Sequence, residues 1–173
     1  PQTSYAKQKL EGERILSSYH IPHFVVRSAT ACGPAPRMRL DTIVNIFSKQ
    51  AYYDGVITVW DGTQWRSNIH VADIADLYIR LLDVPYHRPQ VYNATAGNHT
   101  ALELANLVAN TFEANRRPRP EIIVDKDKRD GRHYRMDAGK LGHELGWRPK
   151  RTIAQAVRDN IVFFDAGGLT DPA

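Results

Sequence analysis

The sequence predicts an α/β fold, because short β-rich runs alternate with longer segments whose apolar residues recur at helical spacing. Residues 24–26 (FVV) are contiguous apolar residues of the types that buried strands prefer. Residues 101–112 repeat apolar side chains every three or four positions, as in a helix that packs on a core. At 173 residues, 42% of them hydrophobic, the chain is long enough to form a sizeable core.

Start and stop signals divide the first half into elements. In order, these are helix 4–19, a strand within 23–33, helix 42–53, strand 56–60 and helix 72–82. Thr3 or Ser4 is the expected cap of the first helix, and Asp41 that of the second. Asp61 and Gly62 are expected to turn the chain after the second strand.

The second half continues the alternation. Its predicted elements are strand 90–95, helix 101–112, strand 121–125, a short helix over 140–146 and a last helix over 152–164. Gly146 is the expected end of the short helix. The last helix should bury one face, which carries five residues at helical spacing: Ile153, Ala156, Val157, Asn160 and Ile161.

The bulk properties favour a cytoplasmic protein that does not contact membranes. No apolar run approaches the ~20 residues that span a bilayer, and the polar amino terminus has no apolar signal segment. The single cysteine, Cys32, cannot form an internal disulfide, which fits a reducing compartment. A net charge of +4 permits an anionic ligand without identifying one.

The residues themselves give little support to two alternative functions, nucleic-acid binding and metal binding. Basic residues cluster in 116–120 and 126–135, but acidic residues such as Asp127 and Asp130 interrupt them, so we expect no nucleic-acid partner. His70 and Asp73 lie three residues apart and provide too few ligands for a metal, so we expect no metal site.

Tyr5 and Lys9 lie four residues apart, and therefore on one face of the first helix. A neighbouring ammonium favours the phenolate form of a tyrosine, which makes it a better base. An ammonium can also donate to ribose hydroxyls. The pair therefore suits removal of a proton from an alcohol beside a nicotinamide. Taken alone, the same spacing also occurs in ordinary amphipathic helices.

Further motifs follow this pair in order: FVVRSATACGP, ITVWDGTQWRSNIHVADIA, VYNATAG and RDGRHYRMDAGKLGHELGWRP. Together they resemble the C-terminal half of the extended short-chain dehydrogenases/reductases, and more narrowly the NAD-dependent sugar-nucleotide epimerase/dehydratase family. The last segment is closest to the dTDP-glucose 4,6-dehydratase and UDP-sugar branches. The resemblance covers residues 4–164. It implies the C-terminal part of a Rossmann-type doubly wound sheet plus the smaller sugar-nucleotide-binding lobe.

The resemblance also implies a division of the chain. Residues 1–35 would hold the end of the Rossmann core, with the YxxxK helix and the following strand. Residues 36–173 would form mainly the substrate-binding lobe, with some returning core elements. The NAD-binding N-terminal half, with its glycine-rich turn and a catalytic serine or threonine, is expected to be absent, since the sequence begins with Pro1 and enters a helix without a preceding strand.

The family resemblance assigns roles near the cofactor to three residues. Tyr5 would be the general base, and Lys9 would hold the nicotinamide ribose. Both would contact NAD, and Ser28 would lie beside the nicotinamide. NADP is the alternative cofactor.

The remaining implied residues would bind the substrate, a nucleotide-diphosphate sugar. Arg66 would grip the diphosphate, since its planar fork suits two phosphate oxygens. Arg132 would also reach the phosphates, with Arg129 as its rival. Thr30 stands where the family usually has asparagine and would donate to the substrate. Asn45 would face the ligand, with a cap or core contact as the alternative.

The implied reaction is oxidation at sugar C4 by hydride transfer to NAD, followed by epimerisation or dehydration. The isolated chain is expected to be inactive, because the family's cofactor-binding half lies outside the resemblance. One alternative is a non-catalytic sugar-nucleotide-binding module, and another is half of a split protein. A homodimer or the N-terminal half is the expected protein partner.

Overall fold

The computed structural model describes residues 3–85, 90–128 and 130–169. Its helices are α1 (Ser4–Ser18), α2 (Ile43–Tyr53), α3 (Val71–Leu82), α4 (Ala101–Ala114), α5 (Gly139–Leu145) and α6 (Ile153–Asp165). Its strands are β1 (Phe24–Ser28), β2 (Thr30–Cys32), β3 (Val56–Trp60), β4 (Trp65–His70), β5 (Gln90–Ala94), β6 (Gly97–Thr100) and β7 (Glu121–Asp125). The α/β prediction is confirmed.

The strands form three small sheets in which parallel pairing dominates. β1 pairs with β5, and β3 pairs with β7, both in parallel. β4 is the central strand of the third sheet, parallel to β2 and antiparallel to β6. Between β1 and β2, the N–H of Ala29 donates to the carbonyl of Ala94 over 2.8 Å. The end of β1 is therefore tied directly to the end of β5.

Two apolar clusters hold these layers together. One joins α2, α4 and α6 to β3 and includes the fully buried Leu104 and Val157. The other joins α3 and α5 to β4 and β5 and includes Ile69 and Leu77. Each such buried side chain contributes about 1.5–3 kcal/mol. The burial of the predicted face of α6 is confirmed.

Local caps explain where most helices begin. The Thr3 hydroxyl accepts from the N–H of Ala6 at the start of α1. Thr100 and Thr152 form capping boxes at the starts of α4 and α6. The predicted Asp41 cap is wrong, because Thr42 is the N-cap of α2. The Asp41 carboxylate is instead paired with Arg39 at 2.6 Å.

The strands β4 and β6 were not predicted from the sequence, and the one strand expected within 23–33 is two strands, β1 and β2, in different sheets. From Arg66 to His70 every residue of β4 is buried, although most of these residues are polar. A strand of this kind has neither a continuous apolar run nor an alternating pattern.

The expected turn is confirmed, since Asp61 and Gly62 have φ values of 57° and 91°.

Candidate functional site

Arg66 lies on the central strand β4, and only 8% of its side chain is exposed. Its Nη1 donates to the carbonyl of Trp65 over 2.8 Å and also to the carbonyl of Arg132. Its Nη2 lies 2.7 Å from the Asp130 carboxylate. The buried guanidinium is therefore fixed by its own strand and by the segment 130–134.

Asp130 joins Arg66 to Arg132. The Asp130 carboxylate accepts from Arg132 Nε over 2.8 Å, from Arg132 Nη2 over 2.6 Å and from the Arg132 backbone N–H over 3.1 Å. These hydrogen bonds, with smaller contributions from the charges of both arginines, hold the pKa of Asp130 well below its usual range. One ionised carboxylate thus bridges two arginines.

Tyr134 brings Thr30 into the same cluster. The Tyr134 hydroxyl and Thr30 Oγ1 are 3.2 Å apart, within hydrogen-bond distance. The Arg66 guanidinium lies 5.7 Å from the centre of the Tyr134 ring, a cation–π contact. Three of the residues named from the sequence, Thr30, Arg66 and Arg132, therefore lie together.

This cluster lies just past the carboxyl end of β1 and at the amino ends of β2 and β4, where Thr30 and Arg66 stand. In open parallel sheets, ligands bind beyond the carboxyl ends of the strands. Asn68 pairs with Thr30 across β2 and β4, and it shares a face of β4 with Arg66. Asn68 is fully buried, and neither polar atom of its amide has a hydrogen-bond partner among the described residues.

Sequence reasoning missed Asp130, Tyr134 and Asn68 as members of this cluster. Asp130, Arg132 and Tyr134 lie in a segment that forms neither helix nor strand, so no periodic pattern marked them as neighbours of Arg66. The rival residue Arg129 lies outside the described residues.

Tyr5 and Lys9 share a face of α1, with Lys9 Nζ 5.6 Å from the centre of the Tyr5 ring. Tyr5 is 69% exposed, and α1 has no buried residue. Arg39 lies close enough to interact electrostatically with Tyr5, although the rise in the pKa of Arg39 comes mainly from its hydrogen bond to Asp41. The phenol and the ammonium are therefore both accessible.

The other two residues named from the sequence differ in their surroundings. Ser28 is exposed at the last position of β1. Asn45 is 2% exposed, and its amide accepts from the Gly33 N–H over 3.0 Å and donates to the Arg39 carbonyl over 2.9 Å. Asn160 donates to the same Asn45 oxygen over 3.2 Å. These contacts hold the loop between β2 and α2.

His70, Asp73 and Cys32 all have contacts within the fold. His70 Nδ1 accepts from the Ala72 N–H over 3.0 Å, and its Nε2 lies 3.0 Å from Asp159. Burial raises the pKa of the Cys32 thiol to about 12, so this thiol is a poor nucleophile. Across the described ranges, no three His, Cys, Asp or Glu residues are placed to hold a metal ion.

The two basic runs form ion pairs with acidic neighbours. Arg117 pairs with Asp165 at 2.5 Å, and Arg119 pairs with Glu113 at 3.2 Å. Lys128 lies 3.5 Å from Asp125.

Among the helices in the described part of the chain, none has the length and apolar character needed to cross a bilayer.

Comparison with known proteins defines the family. Residues 1–95 match the model of the NAD dependent epimerase/dehydratase family. Over 169 residues the chain is 27% identical to a dTDP-glucose 4,6-dehydratase of Streptomyces antibioticus, covering 95% of this chain and 49% of that protein. Over 99 residues it is 28% identical to a UDP-glucose 4-epimerase of Yersinia pestis, covering 57% of this chain and 29% of that protein.

A solved structure supports the fold. The dTDP-glucose 4,6-dehydratase of Bacillus anthracis, in complex with NAD, superposes with a TM-score of 0.78 at 21% identity, covering 96% of this chain and 53% of that one. The chain belongs to the NAD-dependent epimerase/dehydratase family, as the motif order predicted. It spans about half the length of the dehydratases it matches.

Proposed function

We propose that the chain supplies the sugar-nucleotide site and the Tyr–Lys pair of an NAD-dependent nucleotide-sugar epimerase or dehydratase. The observation that carries this proposal is the buried Arg66, held beside Thr30 and Arg132 at the carboxyl end of β1. A buried cation at such an edge suits a diphosphate, which a planar guanidinium binds through two oxygens. The relatives named above act on dTDP-glucose and UDP-glucose, and their names give the ligand class we propose.

Tyr5 and Lys9 fit the roles that the family resemblance implies. The ammonium lies close to the phenol on an accessible face of α1, as a shared ligand would require. Tyr5 would take the proton of the sugar hydroxyl, and Lys9 would hold the ribose and favour the phenolate. Ser28, exposed at the end of β1, would lie near the same ligand. NAD would supply the hydride acceptor, and NADP remains an alternative. Because the named relatives are enzymes, we favour this function over a non-catalytic module.

Further proposals concern the chain by itself. The sequence has no glycine-rich turn after a strand, so we expect weak NAD binding and no turnover. A rise in absorbance at 340 nm from this chain with NAD and UDP-glucose would contradict this.

We also propose a division near residue 35, a cytoplasmic location and packing of α1 against a second copy or a separate N-terminal half. The absence of buried residues in α1 supports such packing.

Binding of UDP tests the proposed substrate class. We expect calorimetry to show that the chain binds UDP or dTDP more tightly than UMP, because the second phosphate reaches Arg66. Arg66→Gln should weaken UDP binding by about tenfold or more, since a charge-assisted hydrogen bond contributes ~1.5–3 kcal/mol.

Arg117→Gln is the matched control, because Arg117 is also ion-paired but lies far along the chain on a half-exposed site. This control should bind UDP as the wild type does, and thermal unfolding should show that both variants are folded. Equal UDP affinity in the wild type and in Arg66→Gln, or no binding of any nucleotide by the wild type, would contradict the proposal.

A further inference from the structure

The carboxylate of Asp130 contacts both arginines of the proposed diphosphate site, Arg66 and Arg132. Asp130 Oδ2 lies 2.7 Å from Arg66 Nη2 and 2.6 Å from Arg132 Nη2. Carboxylate and phosphate oxygens prefer the same geometry around a guanidinium. A phosphate that binds Arg66 at Nη2 would therefore compete with Asp130 for this guanidinium.

The contacts of Asp130 are unequal. Arg132 donates to it three times, from Nε, Nη2 and the backbone N–H. Arg66 meets it through Nη2. Arg132 also has 70% of its side chain exposed, whereas Arg66 has 8%. Asp130 and Arg132 can therefore shift as a pair, while Arg66 is fixed in β4.

The other contacts of Arg66 hold its guanidinium in place. Its Nη1 donates to two backbone carbonyls, those of Trp65 and Arg132. Its guanidinium is further covered by the Tyr134 ring. Of these contacts, the one with Asp130 is ionic, and an anionic ligand can take its place.

We propose that Asp130 is an internal competitor for Arg66 and sets the affinity of the site for diphosphates. A ligand phosphate replaces Asp130 on Arg66, and Asp130 stays with Arg132. This inference rests on the proposed function, because it assumes that Arg66 binds the diphosphate. Its consequence is selectivity, since a weakly held anion does not displace a carboxylate that is already in place.

The test is the affinity for UDP of the whole 173-residue chain after neutralisation of Asp130. Asp130→Asn removes the competing charge while keeping the size of the side chain, and it should bind UDP about tenfold more tightly than the wild type, as expected for removing one ionic contact. Asp127→Asn is the matched control, because it makes the same charge change at an exposed position of the same loop. It should change the affinity by less than about twofold.

Two additional variants make the result specific. Asp130→Ser keeps an oxygen acceptor for the Arg132 N–H and should also bind UDP more tightly, which covers the case in which Asp130→Asn is poorly folded. Adding Asp130→Asn to Arg66→Gln should give no gain, because the exchange requires Arg66. UDP binding that Asp130→Asn and Asp130→Ser weaken or leave unchanged, in a chain where Arg66→Gln does weaken it, would overturn the inference alone. UDP binding that does not depend on Arg66 would overturn both proposals.

Discussion

The buried carboxylate of Asp73 binds Arg151, 78 residues further along the chain. One Asp73 oxygen accepts from the Arg151 backbone N–H over 2.9 Å, and the other accepts from its Nη1 over 2.7 Å. Asp73 lies in the first turn of α3, which directly follows β4, and Arg151 immediately precedes the Thr152 cap of α6. This pair therefore anchors the start of α6 to the end of the strand that carries Arg66.

Loss of the Asp73 carboxylate should destabilise the fold. We expect Asp73→Ala to lower the free energy of unfolding by about 3 kcal/mol, because it leaves two donors of Arg151 without their buried acceptor. Asp76→Ala is the control, since Asp76 meets the same guanidinium at 3.0 Å but has 38% of its side chain exposed. Asp76→Ala should lower the free energy of unfolding by less than about 1 kcal/mol. Urea unfolding measures the free energy of unfolding of both variants. Equal decreases in the two variants would contradict the anchoring role of Asp73.

Gly33 should not tolerate a side chain. Its φ is +101°, and an added Cβ would lie 3.1 Å from the His70 ring. We expect Gly33→Ala to lower the free energy of unfolding by at least ~2 kcal/mol, through backbone strain and contact with His70. Gly12→Ala, in open space on α1, should instead be neutral or stabilising by up to ~1 kcal/mol. A Gly33→Ala chain that unfolds at the wild-type urea concentration would show that the close approach is absent.

Cys32 should resist alkylation in the folded chain. Burial raises the pKa of its thiol to about 12, and the thiol donates to the Ile69 carbonyl over 3.3 Å. At pH 8 only about one thiol in ten thousand is ionised at that pKa, whereas an ordinary thiol is substantially ionised. Mass spectrometry after iodoacetamide at pH 8 should find native chain unmodified and urea-unfolded chain fully modified. Modification of the native chain at the unfolded rate would contradict the burial of Cys32.

Most helices were predictable from the sequence because their signals are local. Thr152 with Gln155, followed by apolar residues at helical spacing, determined α6 and its buried face. β4 was not predictable in this way, because its inward side chains, such as Arg66 and Asn68, are polar and have partners or neighbours far along the chain. Asp41 failed as a cap because Arg39, two residues away, offers its carboxylate an ion pair.

The candidate site could be predicted only in part. Motif order, rather than periodicity, pointed to Thr30, Arg66 and Arg132, and the fold brings these three residues together. The role of Asp130 depends on how the segment after β7 folds back onto β4, and no local pattern contains that information. The roles of these three residues toward ligands stay predictions, as do those of Tyr5, Lys9, Ser28 and Asn45.

The most direct test of the account is a crystal structure of the chain with UDP bound. We predict that a phosphate oxygen lies within hydrogen-bond distance of Arg66 Nη2, and that Asp130 has left Arg66 while keeping its contacts with Arg132. A structure with UDP bound elsewhere, or with the Arg66–Asp130 pair intact at 2.7 Å and no phosphate contact, would contradict it.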